Sequence, residues 1–148
     1  PYLSRGLGDV YKRQNVGLGV DGSASNDSGS LISEARQAML LQRVSNGADA
    51  MSAMDALELA TRGGADILGR PECGRIQIGA RGDLAIWDIS GIDSAGSWDP
   101  AALLLAGPKK VKHLVVEGRI IVWDGNIVTV KMSEVLSETK RLVQNLQL

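Results

Sequence analysis

From Leu31 onward the apolar positions recur at helical spacing. Leu31, Ala35, Ala38, Met39 and Leu41 fall on one side, with Arg36 and Gln37 on the other, which predicts a helix over 31–44. Asn26, Asp27 or Ser28 can cap its start, and Asn46-Gly47 ends it. A second helix is predicted over 52–62, with Met54, Leu57 and Ala60 on one face and Ser52 and Asp55 at the spacing of a capping box. Gly63-Gly64 interrupts it, and residues 65–68 add one more turn. Ahead of both helices, the run Asn15 to Val20 (NVGLGV) is apolar on both faces, the pattern of a parallel strand covered from both sides. Small polar residues from Gly22 to Ser28 form a loop behind it.

Pro71 marks a change of period. Residues 75–78 and 83–89 read as strands rich in Ile and Trp. Residues 111–117, 119–123 and 127–130 read as a three-strand meander whose turns carry Glu117-Gly118 and Asp124-Gly125. A short helix over 99–106 opens on Pro100 and closes at Gly107-Pro108. Val135, Leu136, Thr139, Leu142, Val143 and Leu146 make an amphipathic helix over 133–146. The order is strand, helices, small β unit, helix, which places the chain in the α/β class. A strand apolar on both faces needs neighbours, and no second strand here leads into a helix in the same way. Its partners are therefore expected upstream of Asn15.

Composition narrows the functional classes. The 148 residues carry 16 basic and 17 acidic side chains, so the basic field that phosphate contacts require is missing. No apolar run approaches the roughly 20 residues of a membrane span. One Cys and one His exclude a disulfide framework and a structural zinc site built from Cys and His. Phe is absent, so Trp87, Trp98 and Trp123 are expected to supply core bulk.

Asp21 is the residue that can carry chemistry. It follows the NVGLGV strand, and in an α/β barrel catalytic groups stand at the C-terminal ends of strands. A carboxylate there can bind a metal and move protons; an Asp before Gly can equally be a turn or cap residue. Ser23, Ser25, Asn26 and Asp27 line the following loop, where they can touch substrate or serve as loop and cap hydrogen-bonding groups. His113, between Lys112 and Leu114 in the β unit, reads as structural or surface, and Cys73 as a small packing residue.

Two resemblances follow. Asp9 to Gln14 (DVYKRQ) resembles the translated end of a transposon used to build sequencing libraries, so residues 1–14 are expected to be foreign and the true chain to continue upstream. The run VGLGVDGSASNDS (Val16 to Ser28) resembles the last barrel strand and loop of the amidohydrolase superfamily, in particular the branch of the 8-oxoguanine deaminases and the triazine aminohydrolases and chlorohydrolases. ALELATRGGADILGR (Ala56 to Arg70) and CGRIQIGARGDLAIWDI (Cys73 to Ile89) are similar to the helix and sandwich re-entry that follow that barrel, with Gly74, Ile76, Gly79, Asp83 and Leu84 in the family rhythm. WDPAALLLAGP (Trp98 to Pro108) and VKHLVVEGRIIVWDG (Val111 to Gly125) resemble its closing β unit.

The resemblance implies residues 15–70 as the last strand, loop and helices of a (β/α)8 barrel, and residues 71–148 as part of a small β-sandwich with a terminal helix. It implies Asp21 as a ligand of a single zinc ion and as the group that takes a proton from the hydrolytic water and delivers it to the leaving amine. Asn26 is the candidate substrate contact. The family's His-x-His pair and further His ligands are absent from this chain. The implied function is hydrolytic deamination of an aromatic heterocycle, an 8-oxoguanine-like purine or an aminotriazine, by a longer enzyme of which this chain is an inactive, aggregation-prone fragment. A small-molecule substrate, a homo-oligomeric full-length form and a cytoplasmic location are expected, with no nucleic-acid or membrane partner. The alternative is a non-catalytic, β-rich binding module or a non-functional fragment.

Overall fold

A computed structural model describes residues 15–26 and 28–146. The segment 1–14 read as foreign, and the capping and substrate roles offered for Asp27, lie outside them. The chain divides into two units. One holds the described residues up to Arg81 together with Ile89–Pro108; the other holds Gly82–Asp88 and the residues from Lys109 onward.

The first unit is helical. Helix α1 spans Leu31–Asn46, α2 spans Ala53–Glu58, a π-helical stretch covers Leu59–Gly63, α3 spans Gly64–Ile67 and α4 spans Pro100–Leu105. Ser30 caps α1 rather than Asn26 or Ser28, its side chain accepting from the Ser33 N–H. The reason is competition: the Asn26 amide is occupied elsewhere, as described below. Gly47 ends α1 with φ 106°, a value that favours glycine, and donates its N–H to the Arg43 carbonyl. The capping box of α2 is complete. Asp55 Oδ2 accepts from the Ser52 N–H and hydroxyl, both at 2.7 Å, and Ser52 Oγ accepts from the Asp55 N–H at 3.1 Å.

Those bonds, the Ser52 hydroxyl first and its amide second, hold the Asp55 carboxyl below the usual carboxylate range. A carboxyl depressed in the folded state contributes stability above its unfolded pKa and loses it as pH falls through the folded one. The Ser52 amide resonance is therefore expected to stay put through the ordinary Asp range near about pH 4 and to move only at lower pH. A Ser52 amide that titrates at the ordinary value would contradict this.

Gly63-Gly64 does not interrupt the helix. Both residues keep right-handed helical dihedrals, and the chain passes from α2 into α3 through the wider π-helical stretch. Within it the Thr61 hydroxyl donates back to the Leu57 carbonyl at 2.7 Å, a bond that bends helices. Ala35 and Met39 of α1, Ala53 and Ala56 of α2, and Ala101 and Leu105 of α4 form the core, with Leu18 and Ile32 packed against it. The stripe of α1 thus runs Ile32, Ala35, Met39, and the expected Leu31 and Leu41 are exposed, as is Met54 of α2. Small alanines let three short helices approach closely, so each buries a narrower face than its apolar content allows.

The second unit is an antiparallel sheet in the order β1-β2-β3-β4, formed by Leu84–Trp87, Val111–Val116, Arg119–Trp123 and Asn126–Ile127. Leu84 lies opposite Val115, and Val116 opposite Arg119. Both predicted hairpin dipeptides have positive φ at both positions, 50° and 77° at Glu117-Gly118 and 48° and 74° at Asp124-Gly125, which matches the strand twist. His113 is structural: its Nδ1 accepts from the Asp124 N–H at 3.1 Å, and its ring lies 4.3 Å from that of Trp123. The terminal helix α5, Met132–Leu146, leaves Val135, Leu136, Leu142 and Val143 exposed. Among the described residues no helix is long and apolar enough to cross a membrane.

Three expectations are corrected. NVGLGV runs without strand pairing, because no strand lies beside it among the described residues to take its backbone bonds. Residues 75–78 form no strand either: Gly74 and Gly79 bracket them at φ 73° and 87°, and Ile76 and Ile78 stand in solvent. Trp98 is 93% exposed and Trp123 more than half exposed, so they are not core residues of this chain.

Candidate functional site

Asp21 closes the NVGLGV segment, and its backbone turns sharply there. Its φ of 59° lies in the left-handed region, which is uncommon outside glycine and tolerated best by Asp and Asn. The carboxylate is exposed, and Oδ1 accepts from the Gly22 N–H at 2.7 Å. Oδ2 has no hydrogen-bond partner among the described residues. The loop then winds into a tight turn, with the Ser25 and Asn26 N–H groups donating to the Gly22 carbonyl at 2.9 and 3.0 Å. Ser23 and Ser25 sit exposed on it.

Asn26 fastens this loop to α1. Its Nδ2 donates to Glu34 Oε1 at 2.7 Å, and its Oδ1 accepts from the Ser28 N–H at 2.9 Å. Glu34 was not singled out from the sequence; the available signal was an acid in the first turn of a helix, eight residues after a loop Asn. Asp21 and Asn26 thus share one short loop, whose far end is anchored on a helix of the packed core.

A catalytic zinc site takes three protein ligands and a water. Among the described residues no three His, Cys, Asp or Glu side chains come together in a way that could hold a metal ion. His113 belongs to the sheet unit with its Nδ1 taken, and Cys73 is half-buried in the loop after Pro71. The described residues therefore do not make a zinc site by themselves. At the end of the apolar segment they offer one exposed carboxylate, Asp21, at a left-handed turn; Glu117 and Asp124 are exposed acids at left-handed positions in the hairpins.

Comparison with known proteins bears on the family. The profile described as "Amidohydrolase family" matches residues 5–121, beginning inside the segment read as foreign. An 8-oxoguanine deaminase of Pseudomonas aeruginosa is 44% identical over 113 residues, covering 76% of this chain and 25% of that protein. A 5-methylthioadenosine/S-adenosylhomocysteine deaminase of Desulforudis audaxviator is 32% identical over 135 residues, covering 88% of this chain and 31% of that protein. Among solved structures, the atrazine chlorohydrolase from Arthrobacter aurescens TC1 complexed with zinc superposes with a TM-score of 0.78 at 34% identity, over 87% of this chain and 30% of that one. The chain spans between a quarter and a third of the length of these relatives.

Proposed function

The chain belongs to the amidohydrolase family, and from that premise we propose that it is the C-terminal part of a zinc-dependent enzyme that hydrolytically deaminates an aromatic heterocycle. In this reading residues 15–70 close a (β/α)8 barrel, and residues 71–148 contribute part of a β-sandwich and a terminal helix. The observation that carries it is Asp21: an exposed carboxylate, at a left-handed turn, at the end of an apolar segment. The ligands of zinc beyond Asp21 are assigned to sequence outside this chain, which also accounts for an NVGLGV segment with no strand beside it among the described residues.

The chemistry that Asp21 performs is proton transfer. As the oxygen of water bonds to the ring carbon, the Asp21 carboxylate accepts a proton from it and passes one to the departing amine nitrogen; ammonia leaves, and the second water proton passes to the adjacent ring nitrogen as the carbon takes a carbonyl. The Gly22 N–H fixes Oδ1, which leaves Oδ2 as the oxygen that exchanges the proton. Asn26 keeps one of its two amide hydrogens on Glu34 and presents the other to substrate. An 8-oxoguanine-like purine is the first choice of substrate, supported by the higher identity to the Pseudomonas aeruginosa enzyme, and an aminotriazine the second.

Two hybrid enzymes test this. In one, the matching quarter of the Pseudomonas aeruginosa deaminase is replaced by residues 15–148; in the other, the matching part of the Arthrobacter aurescens chlorohydrolase is replaced. Turnover relative to each parent is expected to be at least about tenfold higher in the deaminase hybrid, since pocket contacts from different branches discriminate by factors of that order. Equal or better function in the chlorohydrolase hybrid would shift the substrate to a triazine. Two folded but inactive hybrids would favour the binding-module reading.

A further inference from the structure

Gly63 and Gly64 sit in a helix, where glycine is among the poorest formers, and their dihedrals are ordinary helical values that any residue adopts. Their conformation therefore does not explain them. At Gly63 the surroundings do. A Cβ at Gly63 would overlap the carbonyl oxygen of Val16, and a Cβ at Gly17 would lie 2.8 Å from the Gly64 Cα and 2.9 Å from its nitrogen. The NVGLGV segment thus lies with its backbone directly on the backbone of the π-helical stretch. Gly74 reaches the same stretch from another part of the unit: a Cβ there would fall 2.7 Å from the Thr61 carbonyl oxygen. Widened π turns of this sort recur at functional sites.

We infer that the backbone contact of Val16 and Gly17 with Gly63 and Gly64 is a positioning device for Asp21, and that Gly17 and Gly63, where a Cβ would clash, are positioning residues. The inference rests on the reading of Asp21 given above. Asp21 follows Gly17 by four residues, about 13 Å of extended chain, so neither glycine touches it. Between them only Leu18 packs into the helical core. Backbone contact sets a height more sharply than side chains do, because no rotamer change can absorb an added methyl group. A Cβ at either position must lift the segment from the helix and carry Asp21 with it. Misplacement of a reacting group by about 1 Å costs about a hundredfold in rate.

The adjacent glycines supply the controls. A Cβ at Gly64 or at Gly19 meets nothing within 4 Å, although one shares the helix and the other the segment. In the deaminase hybrid, Gly17→Ala and Gly63→Ala are expected to lower kcat per folded enzyme about a hundredfold, with KM changed less than about threefold and the pH profile of kcat displaced. Gly64→Ala and Gly19→Ala are expected to keep kcat within about twofold. If Gly63→Ala does not fold, Gly17→Ala carries the test. Seam variants that melt earlier but keep kcat and its pH profile would overturn the inference. So would controls as damaged as the seam variants, or a failure of both seam variants to fold while the controls do, which would assign the contact to folding alone. Retained activity in Asp21→Asn would instead overturn the reading of Asp21, a separate result.

Discussion

Asp21→Asn in the deaminase hybrid is expected to lower kcat by about 10²- to 10⁴-fold, the range that removal of a general acid–base group produces. The substitution is close to isosteric. The Asn side-chain oxygen still accepts from the Gly22 N–H, so the turn at φ 59° and its 2.7 Å hydrogen bond survive, and Asn is at ease in the left-handed region. What is lost is the negative charge and the ability to hold a proton. The melting temperature should accordingly stay with the parent hybrid, while kcat and kcat/KM fall together, the pattern of an interaction made in the transition state. Turnover within about tenfold of the parent would show that the proton travels by another group.

Leu105→Ala carries the largest expected effect on stability. Leu105 is 1% exposed, and the core around it is built mainly from alanines: Ala35, Ala53, Ala56 and Ala101. Alanine has no rotamer with which to fill a void, and Met39 is the one flexible side chain among the other buried core residues, so the cavity left by the leucine closes only in part. The expected loss is about 2–5 kcal/mol, the range of buried leucine truncations, read from thermal unfolding of the hybrid. Because α2 enters the π-helical stretch directly, loosening this core should also reduce turnover. A loss below about 1 kcal/mol would mean that the three-helix cluster is not what holds the unit together.

Local chemistry was the legible part of this sequence. The Ser52/Asp55 box, the Asp99-Pro100 start of α4, the end of α1 at Gly47 and the two Xaa-Gly hairpins all formed where their residues stand. Each depends on contacts within a few residues. The meander formed for the same reason, its strands being joined by two-residue turns, although its last strand is only Asn126–Ile127 and not the expected 127–130. Pairing over distance was not legible. Val and Ile mark residues 15–20 and 75–78 as able to be strands, but a strand exists only where another takes its hydrogen bonds. Burial was misread in the same sense, since Leu41, Met54 and Trp98 are apolar without being covered.

The site was legible to a similar depth. Asp21 stands out in the sequence because an acid follows an apolar run and precedes a glycine. The structure adds its left-handed turn and exposed carboxylate. The Asn26–Glu34 bond was hidden because a loop amide has many possible partners. Gly63-Gly64 was read as a break because glycine weakens helices; the opposing backbone of Val16 accounts for the glycine at 63, while a Cβ at Gly64 would meet nothing.

The most direct test of the central claim is ammonia release from 8-oxoguanine, with the 148-residue chain and the deaminase hybrid assayed side by side. No release is expected from the chain, whose described residues include no cluster able to hold a metal beside Asp21, and steady turnover is expected from the hybrid. Turnover by the chain alone, or a folded, zinc-loaded hybrid that releases no ammonia, would contradict it.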